Sequence, residues 1–155
     1  NCYALGIDEK FLPNWIDSIS DVEEASPNGI IVVDEGAVSF SSRSSMTEAN
    51  KELSKLMAIA RHKNLTLIFI TQNTGMIDKN VLKLADSLMI KEGSLLQLEM
   101  ERSEMKKFYM KAKEHMEKAK DEKIKYFYLI DSEFEGLLTH SLPSFWSNEL
   151  SRNKF

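Results

Sequence analysis

Two carboxylates stand side by side directly after an apolar run, as Asp34 and Glu35 of the segment IIVVDEG. The run, residues 30–33, is β-branched and shows no polar alternation, a pattern typical of a strand covered on both faces in a parallel sheet. Open parallel sheets bind their ligands at the carboxyl ends of the strands. One carboxylate at such an end can hold magnesium through water, while another orients or deprotonates an attacking water. The pair therefore predicts a site for water attack on a phosphoryl group.

A second polar strand end follows one helix later. The segment LIFITQ places Thr71 and Gln72 after an apolar run, where an amide can hydrogen-bond a phosphate or the attacking water. Residues 49–63 between the two runs carry apolar side chains at helical spacing, and strand, helix, strand is the order of a crossover with parallel strands. Either polar end taken alone could be a solvated turn. Their agreement in position and chemistry favours a shared site.

The remaining pattern predicts the elements around this site. We expect one α/β domain over residues 1–155, with three layers, a mainly parallel sheet of the RecA-like P-loop NTPase type, one long charged helix and a C-terminal β-hairpin. The parallel core should contain strands 30–34, 65–71 and 87–91. Further predicted elements are a strand at 3–7, helices at 12–24, 79–85 and about 95–123, hairpin strands at 125–130 and 136–140, and a last helix after Pro143. The domain divides into a core, 1–92, the long helix, and the hairpin with the last helix, 124–155.

Composition excludes several classes of protein. The net charge of -4 gives no global basic field, and no apolar run is long enough to cross a bilayer, so we expect no membrane contact and a cytoplasmic location. The single cysteine and the three histidines show no metal-ligand spacing. In the long helix, acidic and basic residues interleave at pairing distance, which favours a self-paired solvated face. Its Met and aromatic stripe is read as packing, or else as a docking face for a partner helix.

The motifs together resemble the additional-strand RecA-like P-loop ATPases of the HerA and FtsK type, including their archaeal and viral relatives. The resemblance lies in IIVVDEG, in ARHKNLTLIFITQNTGMIDKNVLKLADSLMIKE at 60–92, and more loosely in LPSFWSNELS. It implies ATP and Mg²⁺ as cofactors, with Asp34 supporting the metal, Glu35 activating water and Gln72, beside Thr71, sensing the γ-phosphate. It also implies a homo-oligomeric ring that translocates a polymer, DNA being the candidate. A neighbour's arginine would reach the γ-phosphate, and the candidates are Arg43 and Arg61.

The family pattern also needs a phosphate-binding loop, and no segment of these 155 residues matches GxxxxGK[ST]. The chain opens on Asn1 within a strand-like segment, so we expect it to be the C-terminal part of a P-loop ATPase domain whose loop lies upstream. Alone, it should not hydrolyse ATP. The alternative is a non-hydrolysing, degenerate interaction module that binds a protein through helix 95–123. An ABC-type ATPase would need an LSGGQ-like segment before the acidic strand, and residues 1–29 contain none.

Overall fold

The structure is a computed structural model that describes residues 1–34, 55–72, 79–101, 103–119, 125–141 and 143–144. The described chain forms two compact units, one within Asn1–Gln72 and the other within Asn73–Trp146. Each unit has its own sheet. No helix in the described ranges has the length and apolar character needed to span a bilayer.

The first unit is built on a four-stranded sheet in which every strand pair is parallel. Its spatial order is β2-β1-β3-β4. Helix α1, described over residues 55–62, joins β3 to β4 and makes this a crossover. The strands are β1 (Cys2–Leu5), β2 (Ile16–Ile19), β3 (Ile30–Asp34) and β4 (Thr66–Ile70).

The core of the first unit lies on one face of this sheet. Ile31 and Val33 of β3 are fully buried there, and Leu56 and Ile59 of α1 pack against them. Because side chains alternate along a strand, the residues between them point to the other face. That face is apolar but open in part, with Ile30, Ile68 and Ile70 exposed at 40%, 41% and 51%.

Two asparagines fix the amino-terminal ends of β3 and β4. Asn28 and Asn64 adopt φ of 62° and 53°, a left-handed conformation that asparagine tolerates. The Asn64 amide donates to the Asn28 side-chain oxygen at 2.7 Å, and the Asn28 N–H donates to the carbonyl of Lys63 at 2.9 Å. Asn64 thus ends α1, as a residue in the left-handed conformation commonly ends a helix. Its contact with Asn28 holds the first residues of β3 and β4 level with each other.

The helix predicted over residues 12–24 is wrong. Ile16 and Ile19 belong to β2, where they pair with Cys2 and Leu5 of β1. Short 3-10 helices, Glu9–Phe11 and Val22–Glu24, stand before and after the strand. Pairing with β1 therefore outweighs the local helical spacing, because each strand residue gains backbone hydrogen bonds and Ile19 gains a buried position.

The second unit combines helices with a three-stranded antiparallel sheet of order β5-β6-β7. Helix α4 covers one face of this sheet, where Met116, Ala112, Ile90 and Tyr128 form a buried cluster. The elements are α2 (Lys79–Leu84), β5 (Leu88–Ile90), α3 (Leu95–Met100), α4 (Ser103–Glu117), β6 (Tyr126–Ile130) and β7 (Glu135–Thr139).

The α/β class with a mainly parallel four-stranded sheet is confirmed, as are the hairpin and the helix at 79–85. The strand predicted at 87–91 exists but does not join the parallel sheet, because Leu88–Ile90 pairs antiparallel with Tyr126–Ile130. The long helix is interrupted: α3 ends at Met100, Glu101 lies on a bend, and Ser103 begins α4. The last predicted helix falls outside the described residues.

The stripe on the predicted long helix packs against the sheet. Met105, Ala112 and Met116 of α4 are buried. The exposed side of α4 carries the expected ion pairs, Lys118–Glu114 at 2.8 Å and Lys113–Glu117 at 3.8 Å. The interpretations of the stripe as packing and of the charges as a self-paired face are both confirmed.

Candidate functional site

The carboxyl ends of β3 and β4 lie level with each other. Asp34 is the last residue of β3 and pairs in register with Ile70, the last residue of β4. Thr71 and Gln72 follow Ile70 directly. Asp34 and Thr71 are half-buried and Gln72 is exposed. The structure therefore brings three of the predicted site residues to one edge of the sheet.

Strand alternation sets the direction of Asp34. Ile31 and Val33 point into the core beneath α1, so Asp34 shares the opposite face with Ile30 and Val32. This is the face that is open in part. The carboxylate thus stands at the corner between an accessible sheet face and the carboxyl edge, where a ligand can approach it from solvent.

A glycine that the sequence analysis did not single out stands at the same edge. Leu5 of β1 pairs with Val33, which puts Gly6 next to the level of Asp34 on the neighbouring strand. Gly6 has φ of 69°, a conformation that favours glycine, and its N–H donates to the carbonyl of Ile19 at 3.0 Å. Its only sequence signal is a lone glycine directly after an apolar run.

The chemistry of these donors suits a hard cation. A carboxylate, a hydroxyl and an amide oxygen, supplied by Asp34, Thr71 and Gln72, are the ligand types that magnesium accepts. The described residues hold no group of three or more acidic, histidine or cysteine side chains that could form a metal cage. Magnesium is usually held by one or two carboxylates together with substrate phosphates, so this donor set fits Mg²⁺ bound with a nucleotide.

The predicted arginines and the second carboxylate are not part of this described cluster. Glu35 and Arg43 lie outside the described residues. Arg61 is exposed and lies near the end of α1. The chain passes from this end of α1 directly into the first residue of β4, so Arg61 lies at the amino edge of the sheet. The structure does not bring Arg61 to Asp34 of its own chain.

The family model described as Zonular occludens toxin (Zot) matches residues 7–131, a range that runs from the loop after β1 into the β6–β7 turn. No curated protein and no solved structure matches the chain. The match covers most of the sequence, including both polar strand ends. The chain therefore belongs to the Zot family, a P-loop NTPase-like family related to the FtsK and HerA-type ATPases.

Proposed function

We propose that the carboxyl edge of the parallel sheet is the Walker B and sensor half of an ATP-hydrolysing site. Asp34 holds Mg²⁺ through water, Glu35 orients or deprotonates the attacking water, and Gln72, beside Thr71, contacts the γ-phosphate. The observation that carries the proposal is the register of β3 and β4, in which Asp34 and Ile70 are partners. Asp34 therefore lies at the same edge of the sheet as Thr71 and Gln72, which follow Ile70.

Strand spacing makes the division of roles physically reasonable. Adjacent strands lie about 4.8 Å apart, so groups at the ends of β3 and β4 can contact one phosphate between them. Bound magnesium would neutralise charge on the phosphate oxygens. Asp34 is half-buried, which holds its carboxylate in place, whereas exposed Gln72 can reach toward an incoming nucleotide.

The phosphate-binding loop needed to complete the site must come from another segment. We propose that this segment adds a strand beside β4 rather than beside β2. A strand next to β4 is two positions from β3, about 10 Å, whereas one next to β2 is three positions away, about 14 Å. The nearer edge puts a loop after the added strand within reach of a nucleotide held at Asp34.

The composition of the two edges agrees with this choice. Ile68 and Ile70 of β4 are exposed and apolar, and such an edge favours further strand pairing. On β2, Asp17 and Ser18 are exposed, and the Ser18 hydroxyl donates to the carbonyl of Ile7. Polar and charged side chains of this kind discourage strand addition.

In a protein that carries the phosphate-binding loop, the site would act within a homo-oligomeric ring that moves DNA in the cytoplasm, with Arg43 or Arg61 reaching a neighbour's γ-phosphate. The position of Arg61 supports a role in trans. It is exposed and lies at the amino edge of the sheet, away from its own Asp34, which favours a site on another chain over its own. Such an arginine can raise the rate of phosphoryl transfer by about 10³–10⁵-fold.

The alternative, a non-hydrolysing module that docks a partner through residues 95–123, has less support. The apolar stripe on α4 that would form the docking face is buried at Met105, Ala112 and Met116, and the last two pack against Ile90 and Tyr128 of the sheet. Leu96, Met100 and Met110 of this segment are exposed, but they are not among the residues of the predicted stripe.

The test replaces Glu35 in a protein that carries the phosphate-binding loop. Glu35→Gln should lower ATP turnover by about 10²–10⁴-fold, because the amide cannot accept the proton of water, while ATP affinity is retained. Turnover is measured by phosphate release and binding by a fluorescent nucleotide. The matched control is Glu133→Gln, at an exposed acid in the β6–β7 turn, which should leave both unchanged. Undiminished turnover in Glu35→Gln would refute the assigned role.

A further inference from the structure

The two edges of the parallel sheet differ in charge. All four strands run in the same direction, so their amino ends meet at one edge and their carboxyl ends at the other. None of the described residues that directly precede the strands is acidic, and three of them, Arg61, His62 and Lys63, are basic. The residues of this amino edge are Asn1, 13–15, 27–29 and 61–64. The amino edge therefore presents only positive and neutral side chains.

Arg61 is the positive group of this edge that a partner can reach. Its side chain and that of His62 are exposed, and neither forms an ion pair or hydrogen bond with a described residue. Lys63 turns inward instead, where its Nζ donates to the carbonyls of Glu23 and Ala25 at 2.5 and 2.9 Å. The charge of Arg61 can therefore pair with a group from outside the first unit.

An exposed tryptophan stands at the other end of the same edge. Trp15 directly precedes β2 and is 57% exposed. β2 and β4 are three positions apart in the sheet, about 14 Å, so Trp15 and Arg61 span the edge between them. Tryptophan and arginine are the residue types that most often dominate the binding energy of protein interfaces. The composition of the amino edge thus indicates a surface that binds protein.

The carboxyl edge of the same sheet is acidic. Glu24 accepts from the N–H groups of Ser20 and Asp21 at 3.0 and 2.8 Å, which holds its carboxylate at the end of β2. These backbone donors carry no net charge, so they do not neutralise it. The only basic residue at positions 6–10 and 20–24 is Lys10, which pairs with Asp8 at 2.9 Å. The acidic residues that end or follow β1, β2 and β3 here are Asp8, Glu9, Asp21, Glu24 and Asp34.

We propose that the amino edge of one copy of this chain docks against the carboxyl edge of a second copy. Each copy carries both surfaces, and a positive surface that meets a negative one steers association and disfavours wrong partners. Because the two surfaces differ, the contact is head-to-tail, and it closes into a ring or continues as a filament. It would bring Arg61 of one copy toward the edge that carries Asp34 of the next. This docking needs no nucleotide, so it stands apart from the proposed hydrolysis.

A nucleic-acid strand is the other partner that a basic edge with an exposed tryptophan could bind. Arg61 is the only fully charged side chain of the edge that is not turned inward, so few phosphates would be neutralised. The net charge of -4 would also repel a polyanion. The acidic edge of the same chain has the complementary charge, which favours a second copy.

The test measures self-association of the whole chain by sedimentation velocity, without nucleotide, at low and high salt. Association should weaken as salt screens the charges. Arg61→Glu and Glu9→Lys should each raise the dissociation constant by about tenfold. A mixture of the two variants should restore association in part, because the reversed charges then face each other across alternate contacts.

The matched control is Lys107→Glu, which makes the same change of charge at an exposed residue of α4 and should leave association unchanged. Circular dichroism checks that the variants fold, and Arg61→Gln, which only removes the charge, replaces Arg61→Glu if that variant does not.

A chain that remains monomeric at low salt up to about 1 mM would overturn the proposal. Equal weakening by Arg61→Glu and Lys107→Glu would do the same, as would a mixture that does not restore association. If the chain does not self-associate but binds a labelled single-stranded oligonucleotide through Arg61, the partner of the amino edge is nucleic acid and the proposal is wrong. Every measurement omits ATP, so it can fail while the Glu35→Gln test of hydrolysis succeeds, and the reverse.

Discussion

The two sheets differ in whether they contain a strand pair that is closed by a short turn. In the first unit, parallel pairing joins β3 to β4 across a helical crossover, and Asp34 becomes a neighbour of Ile70 only when the sheet forms. In the second, the β6–β7 hairpin closes through a short turn in which Asp131 Oδ1 accepts from the N–H groups of Glu133 and Phe134 at 2.8 Å each. Pairing of strands that are close in the chain costs little loop-closure entropy, whereas pairing of distant strands costs more and must be offset by burial of a core.

In both units a helix covers one sheet face, the other face is apolar, and polar groups gather where the strands end. The candidate ATP site stands at the carboxyl end of the parallel sheet. Strand ends carry these groups because their side chains can remain polar without disturbing the buried middle of each strand.

The largest expected effect is the difference in stability loss between substitutions on the two faces of the parallel sheet. Ile31→Ala should destabilise the first unit by about 2–5 kcal/mol, because Ile31 is fully buried and its truncation leaves a cavity. Ile68→Ala, the same change on the open face, should cost under about 1 kcal/mol. Denaturant unfolding with amide hydrogen exchange, which resolves the two units, measures both.

The same pair of variants tests the proposed strand addition at β4. In a protein that carries the phosphate-binding loop, an added strand and its helix would bury Ile68, and the cost of Ile68→Ala should rise toward that of Ile31→Ala. An unchanged cost in the longer protein would count against strand addition at this edge.

A smaller effect compares one glycine from each unit. A Cβ on Gly29 would lie 2.9 Å from the ring of Tyr3 and 3.1 Å from the carbonyl of Ser26. Tyr3 is buried, and its hydroxyl accepts from the Ser26 N–H, so neither neighbour yields easily. Gly29→Ala should therefore cost about 1–3 kcal/mol through overpacking.

On Gly136, a Cβ would meet only the ring of Phe134, also at 2.9 Å. That ring is 44% exposed and can swing into solvent. Gly136→Ala should therefore change stability by no more than about 0.5 kcal/mol, or raise it slightly by restricting the unfolded chain. Thermal unfolding of the two variants measures both changes in stability. Equal losses of stability would show that the turn at Phe134 is as rigid as the core around Tyr3.

The smallest effect concerns acid stability of the second unit. Lys111 Nζ donates to Glu135 at 2.6 Å and the Tyr128 hydroxyl donates to it at 3.1 Å, and these bonds hold the pKa of Glu135 below its ordinary value of 4.5. A carboxyl group whose pKa is lower in the folded state than in the unfolded chain stabilises the fold when the pH is above its ordinary pKa. This stabilisation is lost as the pH falls through the pKa of the folded state. The second unit should therefore weaken on acidification below about pH 4.5.

The matched variant is Glu135→Gln, which removes this titration. Its stability should change less between neutral and acid pH than that of the unaltered chain, as followed by hydrogen exchange in the second unit. Because the side chains of both Lys111 and Glu135 are exposed to solvent, the difference should be small. Identical pH profiles would mean that the ion pair adds nothing to folding.

The sequence predicted elements best where the pattern and the contacts are both local. Residues 30–34 and 65–71 read as strands from their β-branched runs, and the hairpin from its turn residues, because these features depend on neighbours in the chain. The helix predicted at 12–24 does not form, because the spacing of Ile16 and Ile19 fits a helix as well as it fits a strand. Only β1, a partner from elsewhere in the chain, decides between them.

By itself, the sequence determined the α/β class and the chemistry at the ends of two strands, because an apolar run followed by Asp34, or by Thr71 and Gln72, can be read from neighbouring residues. The tertiary structure decided which groups meet. The register of β3 and β4 places Asp34 level with Ile70, and the pairing of β1 with β3 places Gly6 beside them. Antiparallel pairing with β6 places Leu88–Ile90 in a second sheet. Such choices depend on long-range pairing and burial, and no short stretch of sequence encodes them.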